Sequence, residues 1–266
     1  MKNVLLPIHE DAGQEARLQV ALDLTRSMAG HLTCLDIVQI PLLAGTEYYP
    51  DAELMLLAQA RGREAANAQH VRKRLEVEDV AWSWIDQTGH IASVIADAAA
   101  LADVIVLNTS LADRMEPEMQ SVVSDVVLKA GKPILAVPET KRGIELRGHV
   151  LVAWDGSRPA AEALRAATPL VQQAVGVTIV QIGAITGDPA EEAASYLSRH
   201  GIHARVDRLD ELEGGVAGTL LMMLEQRQPT YCVMGAYGHS RLRESLFGGV
   251  TRRMLAEAPV SLFLGH

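Results

Sequence analysis

An internal repeat constrains the fold of this chain more than any other feature. Four pairs of segments match, in the same order, between the two halves of the 266 residues. The matching pairs are 3–11 with 149–157, 29–38 with 174–183, 102–108 with 229–235, and 121–137 with 249–265. Two copies of one folding unit therefore account for nearly the whole chain. The polar segment 138–148 lies between them, which predicts domains at 1–140 and 147–266.

Short apolar runs alternate with helical patterns in each copy. In the second copy the run 150–154 is followed by a segment in which Ser157 can cap a helix and Pro159 lies in the first turn. Strands that alternate with helices indicate a parallel sheet covered on both faces. The predicted fold class is therefore α/β, and the hydrophobic content of 48% is enough for one core in each copy.

The first copy contains an insertion at 41–51, followed by a long helical pattern from Ala52 to about Leu75. Trp82 and Trp84 alternate on the next strand and are expected to pack under this inserted helix. Apolar residues recur along one face of the helix, and we expect them to belong to the core: Leu54, Leu57, Ala58, Ala65, Ala68 and Val71.

Composition excludes several classes of function. The 24 Lys+Arg and 33 Asp+Glu residues give a net charge of −9, so nucleic acid is not an expected partner. No stretch reaches the roughly 18 uncharged apolar residues of a membrane span, so we expect no membrane contact and a cytoplasmic protein. Cys34 and Cys232 lie in apolar runs typical of buried thiols, and the nine His show no metal-ligand spacing.

A glycine-rich segment in the second copy follows an apolar run that reads as a strand. In an open parallel sheet, ligands bind beyond the carboxyl ends of the strands, where the strand order reverses. Glycine lets backbone N–H groups approach a phosphate closely, and a helix beginning near Val250 adds its free N–H groups. The pattern favours a phosphate cradle over ordinary turns. The glycines are Gly235, Gly238, Gly248 and Gly249.

This segment resembles the nucleotide-binding signature of the universal stress protein family, G-x-x-G-x₉-G-[ST]. Gly235, Gly238 and Gly248 occupy the glycine positions, and Gly249 stands at the hydroxyl position. Asp155, which closes the first strand of the second copy, is similar to the family's aspartate that contacts adenosine. His239 lies in the same loop, within reach of a phosphate or a ribose.

The two-copy layout is similar to the tandem members of that family, and the resemblance covers nearly all of the chain. It implies two five-stranded parallel-sheet domains of the Rossmann-type, adenine-nucleotide alpha hydrolase-like class. It also implies ATP as the ligand, with magnesium left open, and halves that pair as a dimer of single domains would.

The first copy departs from the signature. The places of Asp155, Gly235, Gly248 and Gly249 are taken by His9, Asn108, Gln120 and Ser121. Glu116 and Glu118 lie in the same segment and would repel a triphosphate. We therefore expect the first copy to bind no ATP and to act as a structural partner.

The sequence thus predicts an ATP-binding regulatory protein of the stress response, with its site in the C-terminal domain. Hydrolysis should be slow or absent, because no residue is positioned as a general base or a nucleophile. Two alternatives stay open: a slow ATP-hydrolysing or adenylating enzyme of the same fold class, and a scaffold for a protein or a non-nucleotide ligand.

The closing strands of the two copies, 133–137 and 261–264, predict how the copies associate. Each is short and apolar, and each would leave an exposed sheet edge. Pairing the two strands within one chain covers both edges. A further homodimer of the chain is left open.

Overall fold

A computed structural model describes residues 1–39, 50–109, 122–184, 187–237 and 249–266. Within these residues the strands are β1 Asn3–Ile8, β2 His31–Gln39, β3 Ala81–Gly89, β4 Val104–Asn108, β5 Ile134–Val137, β6 His149–Ala153, β7 Gly176–Ile182, β8 Ala204–Leu209, β9 Tyr231–Gly235 and β10 Ser261–Gly265. The helices are α1 Gln14–Ser27, α2 Pro50–Leu75, α3 Ile91–Ala98, α4 Val122–Ala130, α5 Arg158–Val171, α6 Ala190–Arg199, α7 Gly215–Arg227 and α8 Gly249–Glu257. A short 3₁₀ helix, Ala99–Leu101, follows α3.

The strands form one sheet in the order β3-β2-β1-β4-β5-β10-β9-β6-β7-β8. Neighbouring strands are parallel except β5 and β10. The predicted α/β class is confirmed, and the strand order of the second half mirrors that of the first. No helix among the described residues is long and apolar enough to cross a membrane.

The two halves meet at their closing strands, as the sequence predicts. β5 and β10 pair antiparallel, with Leu135 opposite Phe263 and Ile134 opposite Leu264. This contact joins two five-stranded parallel parts into a continuous ten-stranded sheet. The domains 1–140 and 147–266 remain a proposal about folding units, since the sheet itself is uninterrupted between them.

The hydrophobic core divides by sheet face, which corrects the expectation of one core in each half. Side chains alternate across a strand, so Val4 and Leu5 enter different clusters. Their counterparts Val150 and Leu151 divide in the same way. Each cluster therefore spans both halves, because the closing strands make the two sheets one. The thiols of Cys34 and Cys232 are buried in these clusters, as predicted.

Ser157 begins α5 as the sequence predicts. The Ala160 backbone N–H donates to Ser157 Oγ at 3.3 Å, and Pro159 lies in the first turn. This cap fixes the direction in which the chain leaves β6.

The inserted helix α2 only partly confirms the predicted core stripe. Ala68 and Val71 are buried, whereas Ala58 and Ala65 are exposed; the side chains of Leu54 and Leu57 lie outside the described part of the chain. Among the side chains of this 26-residue helix that the structure describes, those of Val71 and Leu75, near its C-terminal end, belong to the main core cluster.

The strand below the inserted helix carries the two tryptophans. Trp82 and Trp84 both pack against the core cluster that contains Val71. The guanidinium of Arg72 on α2 lies 4.4 Å from the Trp84 ring centre. This contact confirms the predicted packing under α2 for Trp84.

Candidate functional site

The strand order reverses between β6 and β9 in the C-terminal half. Ala153 pairs with Met234 across these neighbouring strands. The chain after β6 and the chain after β9 consequently leave the sheet at the same edge, about 4.8 Å apart at the strand level. Asp155 and Gly235, which are far apart in sequence, are thereby brought to the same edge of the sheet.

Asp155 is exposed at the end of β6 and also shapes the turn that follows. Its Oδ1 accepts a hydrogen bond from the Ser157 backbone N–H at 3.0 Å. Gly156 between them has φ +71°, which an L side chain rarely adopts. The Asp155 carboxylate is therefore held by the turn 155–157 at the carboxyl end of β6.

The chain after β7 lies beside the turn that carries Asp155. The indole Nε1–H of Trp154 donates to the Asp188 carbonyl at 2.8 Å. The backbone at 187–188 lies so close to Gly156 that a β-carbon there would be 2.6 Å from the Asp188 carbonyl oxygen. Trp154 and Gly156 thus hold this segment beside Asp155.

Gly235 has a packing role that the phosphate interpretation did not include. A β-carbon at this position would lie 2.6 Å from the backbone nitrogen of Ala160. The end of β9 therefore runs directly against the first turn of α5, and only glycine permits that approach. Packing against α5 therefore requires glycine at position 235 whether or not a ligand binds.

The start of α8 lies at the same edge of the sheet, next to the end of β9. Gly249 is the first helical residue and is exposed, and a β-carbon on it would meet no described atom within 4 Å. Val250 is half-buried against the core. The Tyr237 backbone N–H donates to Thr251 Oγ1 at 3.4 Å, which ties the end of β9 to this first turn.

Tyr237 also links the site to the other half of the molecule. It has φ +56°, and its hydroxyl lies 2.5 Å from Ser124 Oγ on α4. Burial raises the pKa of the Tyr237 phenol, while the bond to Ser124 and the charge of Arg252 act in the opposite direction. The contact between the Tyr237 and Ser124 hydroxyls joins the end of β9 to α4 of the N-terminal half.

The neighbouring arginine has other partners. Arg253 Nη1 donates to the Gly214 carbonyl at 2.9 Å, and its Nε donates to Glu257 at 3.1 Å. These bonds direct Arg253 toward α7. Arg252, the other arginine, is exposed in the first turn of α8.

Three predicted site residues lie outside the described part of the chain: Gly238, His239 and Gly248. Their roles stay predictions, as do those of Glu116, Glu118, Gln120 and Ser121 in the N-terminal half. The structure brings together Asp155, Gly235, Gly249 and Val250 at one edge of the sheet.

The equivalent place in the N-terminal half is filled by side chains. Asn108 closes β4 at 0% exposure, and its amide donates to the carbonyls of Gly13 and Val137 at 3.1 and 3.2 Å. Its Oδ1 accepts from Arg17 Nη1 at 2.7 Å. The small and large residues are exchanged between the halves: Asn108 packs on Gly13, whereas Gly235 packs on Pro159 and Ala160.

Arg17 packs beside Asn108 and is only 1% exposed. Its Nη1 binds both oxygens of Asp11 at 2.6 and 2.7 Å, and its other nitrogens donate to the carbonyls of Pro7 and His9. The guanidinium therefore ties the end of β1, the following loop and Asn108 into one buried network.

His9, at the place of Asp155, faces the inserted helix. Its Nδ1 contacts Glu64 Oε1 at 2.6 Å. Burial alone would lower the pKa of His9, but the interaction with Glu64 raises it above its usual value. The His9 imidazole therefore contacts α2 through Glu64.

Sequence reasoning missed Trp154, Tyr237, Asp188 and Arg17. The Asp-Gly pair at 155–156 was a readable turn signal. Nothing local marks Arg17, because its partner Asn108 lies 91 residues away.

Three solved structures resemble this chain over almost its whole length. A universal stress protein from Archaeoglobus fulgidus has a TM-score of 0.75 at 18% identity, covering 99% of this chain and 98% of its own. A protein of unknown function from Pseudomonas aeruginosa has a TM-score of 0.54 at 15% identity, and a proposed universal stress protein from the same species has 0.52 at 15%. Both cover 99% of this chain and 92% of their own.

No family model matches the sequence, and no curated protein matches it. The structural likeness confirms the fold that the sequence motifs indicated: this chain has the fold of universal stress proteins.

Proposed function

We propose that the C-terminal half of this chain binds an adenine nucleotide at the carboxyl ends of β6 and β9, as a cytoplasmic regulatory protein of the stress response. One observation carries the proposal. The same structural position is packed with Asn108 and Arg17 in the N-terminal half, and in the C-terminal half it is bordered by Asp155, Gly235 and the start of α8. A buried side-chain network thus occupies the N-terminal position, whereas a glycine and an exposed carboxylate border the C-terminal one, which supports a ligand in the C-terminal half.

The chemistry of the cleft fits the two ends of such a ligand. Asp155 supplies acceptor oxygens for the adenosine part. The first turn of α8 supplies backbone N–H groups and the positive end of the helix dipole for the phosphates. Arg252, which is exposed in that same turn, adds a cation. Gly238, His239 and Gly248 are proposed to complete the phosphate contacts.

ATP is the proposed nucleotide, and magnesium remains open as its companion. Mass spectrometry of small molecules released from the purified, denatured protein tests this directly. We expect an adenine nucleotide in the released fraction. Its absence, together with no heat of ATP binding, would favour the scaffold alternative.

The role of Asp155 is tested by a variant that preserves the turn. In Asp155→Asn one oxygen still accepts from Ser157, while the charge is lost and an amide donor replaces the other oxygen. ATP binding should weaken by about 1.5–3 kcal/mol, the value of a hydrogen bond to a charged group. His9→Ala, at the matching position, should leave the calorimetric dissociation constant unchanged.

The regulatory proposal is separated from the enzyme alternative by phosphate release. We expect at most slow release from ATP with the purified chain. Multiple rapid turnovers that disappear in Asp155→Asn would instead identify an enzyme.

A further inference from the structure

A cavity lies between the inserted helix α2 and the outer strands β2 and β3. Its volume is about 870 Å³, which falls in the range of small-molecule sites. The structural counterpart of α2 in the C-terminal half, α6, has 10 residues against the 26 of α2. The cavity is therefore a feature of the N-terminal half, and it does not depend on the proposed nucleotide site.

Two buried carboxylates line this cavity. Asp36 on β2 is 6% exposed and Glu64 on α2 is 5% exposed. Asp36 Oδ1 and Glu64 Oε2 have no hydrogen-bond partner among the described residues, although Glu64 Oε1 contacts His9. An unsatisfied buried acceptor costs about 1–3 kcal/mol, and more when it is charged. The cavity thus presents two acceptors that require donors.

The cations on the cavity wall donate no hydrogen bond to these two oxygens among the described residues, and the buried Nε of Arg72 is itself without a hydrogen-bond partner there. Arg72 Nη2 donates to the two oxygens of Asp86 at 3.1 and 3.3 Å, and its guanidinium lies over Trp84. Arg61 and Lys73 are exposed on α2.

The charge state of Asp36 reflects this environment. Burial, Glu64 and Asp86 raise the pKa of Asp36 to about 6, against the lowering effect of Arg72 and His9. Anionic neighbours therefore outweigh cationic ones around this carboxyl.

We propose that this cavity binds a small organic cation, a primary amine or guanidinium, whose N–H groups donate to Asp36 and Glu64. An ammonium group has three donors and no acceptor, which matches two unpartnered carboxylate oxygens. No group of three or more His, Cys, Asp or Glu among the described residues could hold a metal ion, which favours an organic cation. Val38, Ala65 and Ala68 line the cavity and provide apolar contact for the carbon chain.

The test is calorimetric titration of the full chain at neutral pH with 1,4-diaminobutane and with succinate. The two probes have equal chain length and opposite charge. We expect the diamine to bind one site and succinate not to bind. Asp36→Asn and Glu64→Gln should each weaken diamine binding by about tenfold or more, the effect of one charged hydrogen bond.

Two further variants serve as controls for the position of diamine binding. Ala65→Met narrows the cavity from an exposed position and should also weaken diamine binding, without removing a charge. Asp97→Asn removes one exposed carboxylate on α3, outside the cavity lining, and should leave diamine binding unchanged. Thermal melts establish that each variant is folded.

Three results would overturn the proposal. The first is no diamine binding to the folded wild-type chain. The second is equal affinity in Asp36→Asn and wild type, which would indicate general attraction to a chain of net charge −9. The third is saturable binding of MgCl₂ that Asp36→Asn abolishes while the diamine has no effect, which would identify a metal site.

Discussion

The strand order reverses once in each half, between β1 and β4 and between β6 and β9, and we call these places the two switch points. The N-terminal switch point is packed with side chains, whereas the C-terminal one is bordered by a glycine and an exposed carboxylate. In the N-terminal half Asn108 and Arg17 fill the space beyond β1 and β4. In the C-terminal half the strand ends in Gly235, and the helix backbone moves against it. The two copies therefore differ at this position: in one, a buried polar network joins the helix to the strand end, and in the other a glycine lets the helix backbone contact the strand end. The comparison teaches that one residue at a strand end, asparagine or glycine, changes how the helix after the neighbouring strand is held against the sheet.

The largest effect is expected from removing the centre of the packed switch point. Arg17→Met would leave Asp11 buried without its partner, which typically destabilises a fold by about 3–5 kcal/mol. Urea unfolding measures this change. The control is Arg253→Met, which removes a more exposed pair with Glu257 and should change stability by about 1 kcal/mol or less. Equal effects would show that the N-terminal network does not hold that half together.

The next effect separates packing from ligand binding at the glycines. Gly235→Ala places a β-carbon 2.6 Å from the Ala160 nitrogen, and overpacking of this kind costs about 1–3 kcal/mol. Gly249→Ala meets no described atom and should be neutral or stabilise α8 by up to about 1 kcal/mol. Denaturant midpoints of both variants measure the difference. A neutral Gly235→Ala would mean that β9 and α5 are not in close contact.

Asp36 gives the chain a pH dependence that Asp36→Asn should remove. Its pKa is about 6 in the fold against an ordinary value of 3.8, so the folded state binds the proton more tightly than the unfolded state. The stabilising contribution of the protonated form is present below about pH 4 and is lost as the pH rises through 6. Groups facing this carboxyl are Glu64, Arg72, Asp86 and His9.

We therefore expect Asp36→Asn to raise the melting temperature at neutral pH. A gain of about 1 kcal/mol, allowing for solvent screening, corresponds to about 2–4 °C for a domain of 150–250 residues. The gain should shrink as the pH is lowered from 7 to 5. A gain independent of pH would show that Asp36 is not desolvated.

Much of this architecture could be predicted because it depends on local patterns. Short apolar runs located the strands, and Ser157 with Pro159 located the start of α5. The repeat then predicted that the closing strands pair. These features follow from spacing within one element or from a direct comparison of the halves.

The features that could not be predicted depend on distant contacts. Ala65 belongs to the predicted apolar stripe of α2 but is exposed, whereas Val71 and Leu75 near the end of the helix belong to the main core cluster. Gly235 reads as a ligand-binding glycine, and its packing role depends on the position of α5. The identity of neighbours across the fold decided both cases.

The smallest effect concerns the hydroxyl position of the signature. Gly249→Ser restores a hydroxyl where the resemblance expects one, and no described atom obstructs it. ATP binding should tighten by about 0.5–1.5 kcal/mol, the net value of one hydrogen bond. Gly249→Ala is the matched control and should bring no gain. Equal affinities in the two variants would indicate that the start of α8 does not contact phosphate.

The stoichiometry of ATP binding to the full chain tests the central difference between the halves most directly. Because Asn108 and Arg17 fill one switch point and Asp155 borders the other, calorimetry should give one ATP per chain. Asp155→Asn should weaken that single site, and His9→Ala should not. Two equivalent sites per chain, or one site that survives Asp155→Asn with unchanged affinity, would contradict the account.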